Sequence, residues 1–145
     1  MAIFTWDDNF AVGNTLIDWE HQRLFAYAGS LEQALEKNNA ALVVGPFLGN
    51  LFDYTQIHFA HEEALMRQVN FPDLTKHQKI HDELTRRVMR FQVSLAYGKT
   101  SVNTKLIKFM RTWLEHHIGE EDKRIADFIV SRSDGASIEG IVRSR

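Results

Sequence analysis

The chain has 145 residues, 44% apolar and 25% charged, with a net charge of −2 and no cysteine. That length supports one domain with its own core, and the lack of cysteine excludes a disulfide framework, a thiolate zinc site, an iron–sulfur cluster and a cysteine nucleophile. No Lys/Arg-rich run marks a nucleic-acid surface, and the acidic start through Trp6, Asp7 and Asp8 is not a secretory signal. The most apolar run, 40–48, is interrupted by Gly45-Pro46 and is too short to span a bilayer. These features describe a soluble, cytoplasmic protein without membrane insertion.

Residues 1–17 read as an arm without helical period, in which Trp6, Phe10, Val12, Leu16 and Ile17 can pack over a helical body and Gly13-Asn14 marks a turn. Asp18 is a suitable N-cap for a first helix at about 19–37, where His21, Leu24, Ala28, Leu31 and Leu35 repeat at core-facing spacing. A second helix starts at Pro46, or near residue 40 with a kink at that proline, and runs to about Val69. Leu51, Tyr54, His58, Glu62 and Leu65 form its stripe, and Asn70-Phe71-Pro72-Asp73 breaks it. The third runs from about Asp73 to Tyr97 with His77, His81, Leu84, Val88, Phe91 and Leu95 in phase, and Gly98 is a natural stop. Thr100 or Ser101 caps a fourth helix at about 102–131, carrying Leu106, Met110, Trp113 and His117. The pattern predicts an all-α, up-down-up-down four-helix bundle over 1–132, with a polar and flexible tail at 133–145.

Histidine is the residue that stands out: His21, His58, His77, His81 and His117 all fall on core stripes. A single histidine on an apolar stripe is usually a satisfied core residue. Six buried polar groups, these five and Glu62, would together cost roughly 1–3 kcal/mol each unless partnered. A shared metal supplies that partner, and imidazoles with carboxylates but no sulfur suit iron, manganese, cobalt or zinc. His61-Glu62 lacks the second histidine of a His-Glu-x-x-His zinc site, and no Glu-x-x-His of a ferritin-like di-iron bundle occurs. Periodicity leaves the last carboxylate open. His117 and Asp122 are five apart, about 140° round an α-helix, whereas His116/Glu120 and His117/Glu121 have four-residue spacing.

Over residues 4–130 the chain resembles the hemerythrins, in particular stand-alone bacterial ones. The matching motifs are Val12-Gly13, Ile17-Asp18-x-x-His21, His58-Phe59-x-x-Glu62-Glu63-x-x-Met66, Phe71-Pro72, His77-x-x-x-His81 and Trp113-Leu114-x-x-His117-Ile118-x-x-x-Asp122. Glu20 stands where relatives often carry glutamine, which bears on hydrogen bonding around the ligands and not on their number. The resemblance implies two irons about 3.5 Å apart, one held by His77, His81 and His117, the other by His21 and His58. Glu62 and Asp122 would bridge them beside an oxo or hydroxo group.

On that reading the first iron is six-coordinate and closed, and the second is five-coordinate and open to O2. The family thus selects Asp122, and leaves His116, Glu120, Glu121 and His61 as solvated-face residues. Phe59, Trp113, Leu114 and Ile118 become the candidate O2 pocket, with Leu114 as its gate, although a bundle core would contain the same residue types. The implied function is reversible O2 binding for carriage, storage or delivery, without catalytic turnover. An enzyme acting on peroxide or nitric oxide, or an oxygen- or iron-sensing partner protein, is the alternative, with the tail as a candidate docking segment.

Overall fold

The computed structural model describes residues 4–37, 40–99 and 102–135. Its helices are α1 (Thr15–Glu36), α2 (Ala40–Gln68), α3 (Leu74–Ala96), and a fourth that runs as α4 (Val102–Thr112), a π-helical stretch (Trp113–Asp122) and α5 (Lys123–Gly135). No strand occurs among the described residues. Side-chain pairs fix the directions. Glu20 of α1 meets His61 of α2 while Tyr27 meets Phe47, Glu63 of α2 meets His81 of α3 while Gln56 meets Thr85, and Phe91 of α3 meets Phe109 of α4 while His77 meets His117. Each neighbour therefore runs antiparallel to the last, which is the expected up-down-up-down bundle.

The first helix begins earlier than the spacing predicts. Asn14, not Asp18, is the N-cap, and its side chain accepts the Ile17 N–H at 3.0 Å. Asp18 instead accepts the backbone N–H groups of Val12 at 2.7 Å and Gly13 at 3.3 Å, which ties the arm to the helix it precedes. Both are capping residue types, and only the path of the arm decides between them. That arm is anchored at several points: Trp6 packs edge-on against Phe25, Phe10 lies 4.9 Å from Phe25, and Val12 and Ile17 pack with Ala126. Leu16 does not join them; it is exposed.

The second helix starts at Ala40 and carries Pro46 inside it. Gly45 explains the tolerance: part of the clash that bars α geometry before proline is with the preceding Cβ, which glycine lacks. The third helix ends as expected. Gly98 has φ +73°, its N–H bonds Leu95 O at 2.9 Å, and Lys99 N–H bonds Ser94 O at 3.1 Å, together a Schellman motif. The end of α2 repeats it with Asn70 at φ +58°, Phe71 N–H bonding Met66 O at 2.9 Å, and the Phe71 and Met66 side chains in one cluster.

The fourth helix continues through Gly135, so the expected end near 131 falls short. The expected caps at Thr100 and Ser101 and tail residues 136–145 lie outside the described residues. The largest apolar cluster joins Leu24, Leu31, Leu48, Leu51, Val88, Leu106 and Met110 along the bundle axis, each nearly inaccessible to water. Burying such side chains contributes about 1.5–3 kcal/mol apiece. The histidines interrupt this core toward the end where the arm packs.

Asn70 is the most economical test of this frame. Asn70→Ala forces a Cβ-bearing residue without asparagine's local hydrogen bonding into left-handed geometry and is expected to cost about 1 kcal/mol. Asn70→Gly is expected to match or exceed the parent in urea unfolding. Equal midpoints for the two variants would remove the left-handed cap from the account of this turn.

Candidate metal centre

Every helix contributes to one polar cluster inside the apolar bundle. His21 comes from α1, His58 and Glu62 from α2, His77 and His81 from α3, and His117 and Asp122 from the π-helical stretch; none is more than 3% exposed. On α2 and α3 the i,i+4 spacing puts each pair on one inward face.

The fourth helix solves the spacing problem differently. Because π-helical hydrogen bonds span i to i+5 rather than i to i+4, each turn takes in more chain, and positions five apart come closer to one face than α winding allows. His117 Nε2 consequently lies 3.1 Å from Asp122 Oδ1, while Glu121 turns outward toward Arg124 at 3.8 Å. The π stretch thus brings Asp122, rather than Glu120 or Glu121, to the cluster, where α-helical periodicity left the choice open.

The two carboxylates divide the imidazoles into two sets. Glu62 Oε1 lies 2.8 Å from His81, 3.8 Å from His77 and 3.9 Å from His117, whereas Glu62 Oε2 lies 2.8 Å from His21 and 3.2 Å from His58. Asp122 repeats the division, with Oδ1 at 2.9 Å from His77 and 3.1 Å from His117, and Oδ2 at 3.1 Å from His21. One group is therefore three imidazoles with two carboxylate oxygens; the other is two imidazoles with two. Within each, the donor atoms all lie within 4.8 Å of one another.

These donors fit a cation. Both oxygens of Asp122 and the Nε2 atoms of His58, His77 and His117 are buried without a hydrogen-bond partner among the described residues, although nitrogens stand 2.9–3.2 Å from carboxylate oxygens. Close but misaligned for hydrogen bonding is the relation of ligands that face a shared ion. Donors bound at about 2.1 Å and at right angles to each other lie about 3 Å apart. The donor set, imidazole and carboxylate without sulfur, suits a first-row transition metal.

The charges are strongly coupled. Burial alone would push the His21 imidazolium pKa down, but Asp122 and Glu62 outweigh it and raise it to about 10; the same two carboxylates raise His77 to about 9. His58 and His81 are also raised against burial, His58 by Glu62 and Glu20, His81 by Glu62 and Glu63. Glu62 is pushed up by burial yet held well below the usual carboxylate range by the imidazoles around it.

Two residues outside the predicted set belong to the site. The Glu20 carboxylate, buried beside His21, accepts from His58 Nδ1 at 2.9 Å and His61 Nδ1 at 2.7 Å. Glu63 accepts from His81 Nδ1 at 2.9 Å and from Gln78 Nε2 at 3.1 Å. Both adjoin ligand positions in sequence, and Glu20 also stands where relatives often carry glutamine, which pointed to hydrogen bonding around the ligands. His61 is thus not simply a solvated-face residue: it is partly exposed, but one ring nitrogen is engaged. His116 and Glu120 do pair on the exposed surface, at 2.6 Å.

The expected apolar pocket residues Phe59, Trp113, Leu114 and Ile118 are all buried. Phe59 lies flat on His81, ring centres 3.9 Å apart, and therefore against the three-imidazole group; Trp113 lies tilted beside it, ring centres 5.7 Å apart. A surface cleft of about 150 Å³ between Ile80, Leu84, Phe109 and Trp113 also reaches His117.

Fold and donors together define a four-helix-bundle cation-binding protein. A family model described as the hemerythrin HHE cation binding domain matches residues 12–129. A bacteriohemerythrin of Stenotrophomonas maltophilia is 30% identical, covering 88% of this chain and 82% of its own length. A hemerythrin-like protein of Naegleria gruberi is 35% identical over 83% and 89%. The crystal structure of a hemerythrin leucine-to-alanine mutant superposes with a TM-score of 0.79 at 28% identity, covering 88% of this chain and 98% of that one. The chain belongs to the hemerythrin family.

The raised imidazole pKa values set a pH dependence for the metal-free protein. Between pH 6.5 and about 9–10 the folded form holds protons on His77 and His21 that the unfolded chain has released. Their stabilisation is complete below pH 6.5 and is lost as pH rises through 9 to 10. Chelator-stripped protein should therefore lose melting temperature across that interval. A flat profile would contradict the coupling.

Proposed function

We propose that this protein holds two iron ions and binds O2 reversibly, as a carrier, store or delivery agent rather than an enzyme. The observation that carries the proposal is the division of Glu62 and Asp122: each carboxylate turns one oxygen toward the three-imidazole group and the other toward the two-imidazole group. Carboxylates disposed in this way bridge two ions, and membership of a cation-binding family supports the same reading.

His77, His81 and His117 would hold one ion, His21 and His58 the other, with Glu62 and Asp122 shared. Two ferrous ions so bound would supply the electrons and the coordination position that O2 requires. The groups are unequal, and the two-imidazole group has one protein donor fewer, which leaves it room for a small ligand. Glu20 and Glu63 orient His58 and His81 through their Nδ1 atoms, so that Nε2 of each faces inward.

Reversibility demands a dry site. The buried apolar side chains of Phe59, Trp113, Leu114 and Ile118 are the proposed barrier to water, with Phe59 lying against His81 and His117, and no cysteine offers a competing redox reaction. Leu114 is the proposed gate, one turn before His117 and 1% exposed.

Metal analysis of the purified protein should find two irons per chain, and the reduced protein should gain and lose colour reversibly as O2 is admitted and removed. Zinc alone, or no metal, overturns the proposal; steady consumption of peroxide or nitric oxide in place of reversible colour would make it an enzyme. Leu114→Ala is expected to retain both irons yet survive fewer oxygenation cycles before the colour change becomes irreversible. Equal endurance in variant and parent would remove Leu114 as the gate.

A further inference from the structure

Glu20 and His61 hold a position that the donor set does not require. Glu20 follows the arm on α1 immediately before His21, and its side chain is 4% exposed. Its two oxygens are each taken by a different ring of α2, His58 Nδ1 on Oε1 at 2.9 Å and His61 Nδ1 on Oε2 at 2.7 Å. An ionised carboxylate only accepts, so both Nδ1 atoms must carry hydrogen. For His58 that choice leaves Nε2 as the inward atom, unpartnered and 3.2 Å from Glu62 Oε2. The His61 side chain is 40% exposed, and its ring lies between the buried carboxylate and solvent.

We propose that Glu20 and His61 are a positioning pair for the metal centre. Glu20 fixes the His58 ring with Nδ1–H outward and Nε2 inward, and His61 clamps Glu20 from the solvent side. The inference rests on the metal-site reading above and extends it to a residue that contacts no proposed ion. The surroundings favour rigidity. Tyr54 donates to the Glu20 carbonyl at 2.9 Å and lies parallel to the His58 ring. In the other group His81 is backed by Glu63, but there the outer partner is the neutral amide of Gln78. The Nδ1 atoms of His21 and His117 have no hydrogen-bond partner among the described residues. Each group therefore has one imidazole backed by a carboxylate, and in the donor-poor group that imidazole is His58. A carboxylate-backed imidazole is the better donor, and losing such a partner typically weakens metal binding by about 10- to 100-fold.

The test compares Glu20→Ala, Glu20→Gln and His61→Ala with the parent in two measurements. In the metal-free protein, the His58 ring N–H should be protected from exchange with water in nitrogen-edited NMR spectra, and Glu20→Ala should abolish that protection. In the iron-loaded protein, Glu20→Ala should lose iron to a chelator about tenfold faster or more, and only one of the two iron environments in the Mössbauer spectrum should change. Glu20→Gln keeps an acceptor oxygen and should rescue most of both effects, whereas His61→Ala should fall between parent and Glu20→Ala.

Protection of the ring N–H in a parent that takes up no iron would support the pair and overturn the di-iron reading alone. Iron retention at the parental rate with an unchanged spectrum in Glu20→Ala would overturn the pair and leave the di-iron reading standing. Should Glu20→Ala fail to fold, parental behaviour of His61→Ala in both measurements overturns the clamp.

Discussion

Two carboxylates with no access to water lie inside an apolar bundle, and the rest of the architecture answers to them. An isolated carboxylate in such surroundings would protonate or unfold the chain, because burying an unpaired charge costs several kcal/mol even after relaxation. Glu62 and Asp122 escape that outcome because five imidazoles from all four helices close around them. The bundle cannot omit a helix without stranding charge. Conversely, the donors could not be held in such proximity without the leucine and aromatic core that fixes the helices from the other end.

The fourth helix shows how far local geometry bends to meet this requirement. Ten residues adopt π-helical winding, and the stretch begins at Trp113 and ends at Asp122, enclosing His117. Mid-helix π segments are uncommon and concentrate at functional sites. Here the reason is concrete: His117 and Asp122 must reach the same cluster, and α-helical winding would turn them about 140° apart. Gly119 within the stretch lets the arm close on it, since a Cβ there would stand 3.2 Å from the Phe10 ring. The arm, a segment without regular period, thereby helps seal the end of the bundle that contains the polar cluster.

Around the donors lies a second set of hydrogen bonds that is unevenly distributed. His58 and His81 are oriented by carboxylates, whereas the Nδ1 atoms of His21 and His117 have no partner among the described residues. Orientation is thus imposed on one imidazole per group, and the remaining rings take theirs from packing. Phe59 illustrates the latter, standing edge-on to His117, and it also covers the face of the carboxylate-backed His81. The same aromatic surface that orders the rings keeps water from the carboxylates, so packing and electrostatics are satisfied by the same residues.

Four helices, their order and their inward faces were legible in the sequence because apolar periodicity and turn chemistry are local. His21, His58, Glu62, His77, His81 and His117 stood out for the same reason: each lies in phase with its helix's core stripe, where an unpartnered polar side chain is expensive. The helix starts at Asn14 and Ala40 were less legible, since Asn14 and Asp18 cap equally well in isolation and Pro46 permits two readings. Asp122 was reached through family resemblance alone, because periodicity assumes α winding and the π segment exists only where tertiary packing stabilises it. Glu20, Glu63 and His61 were visible as neighbours of ligands, but whether such a residue faces water or a ring depends on the rotation and crossing of two helices distant in sequence. Local patterning therefore determined which residues enter the core; only the packed bundle decided which of their atoms meet.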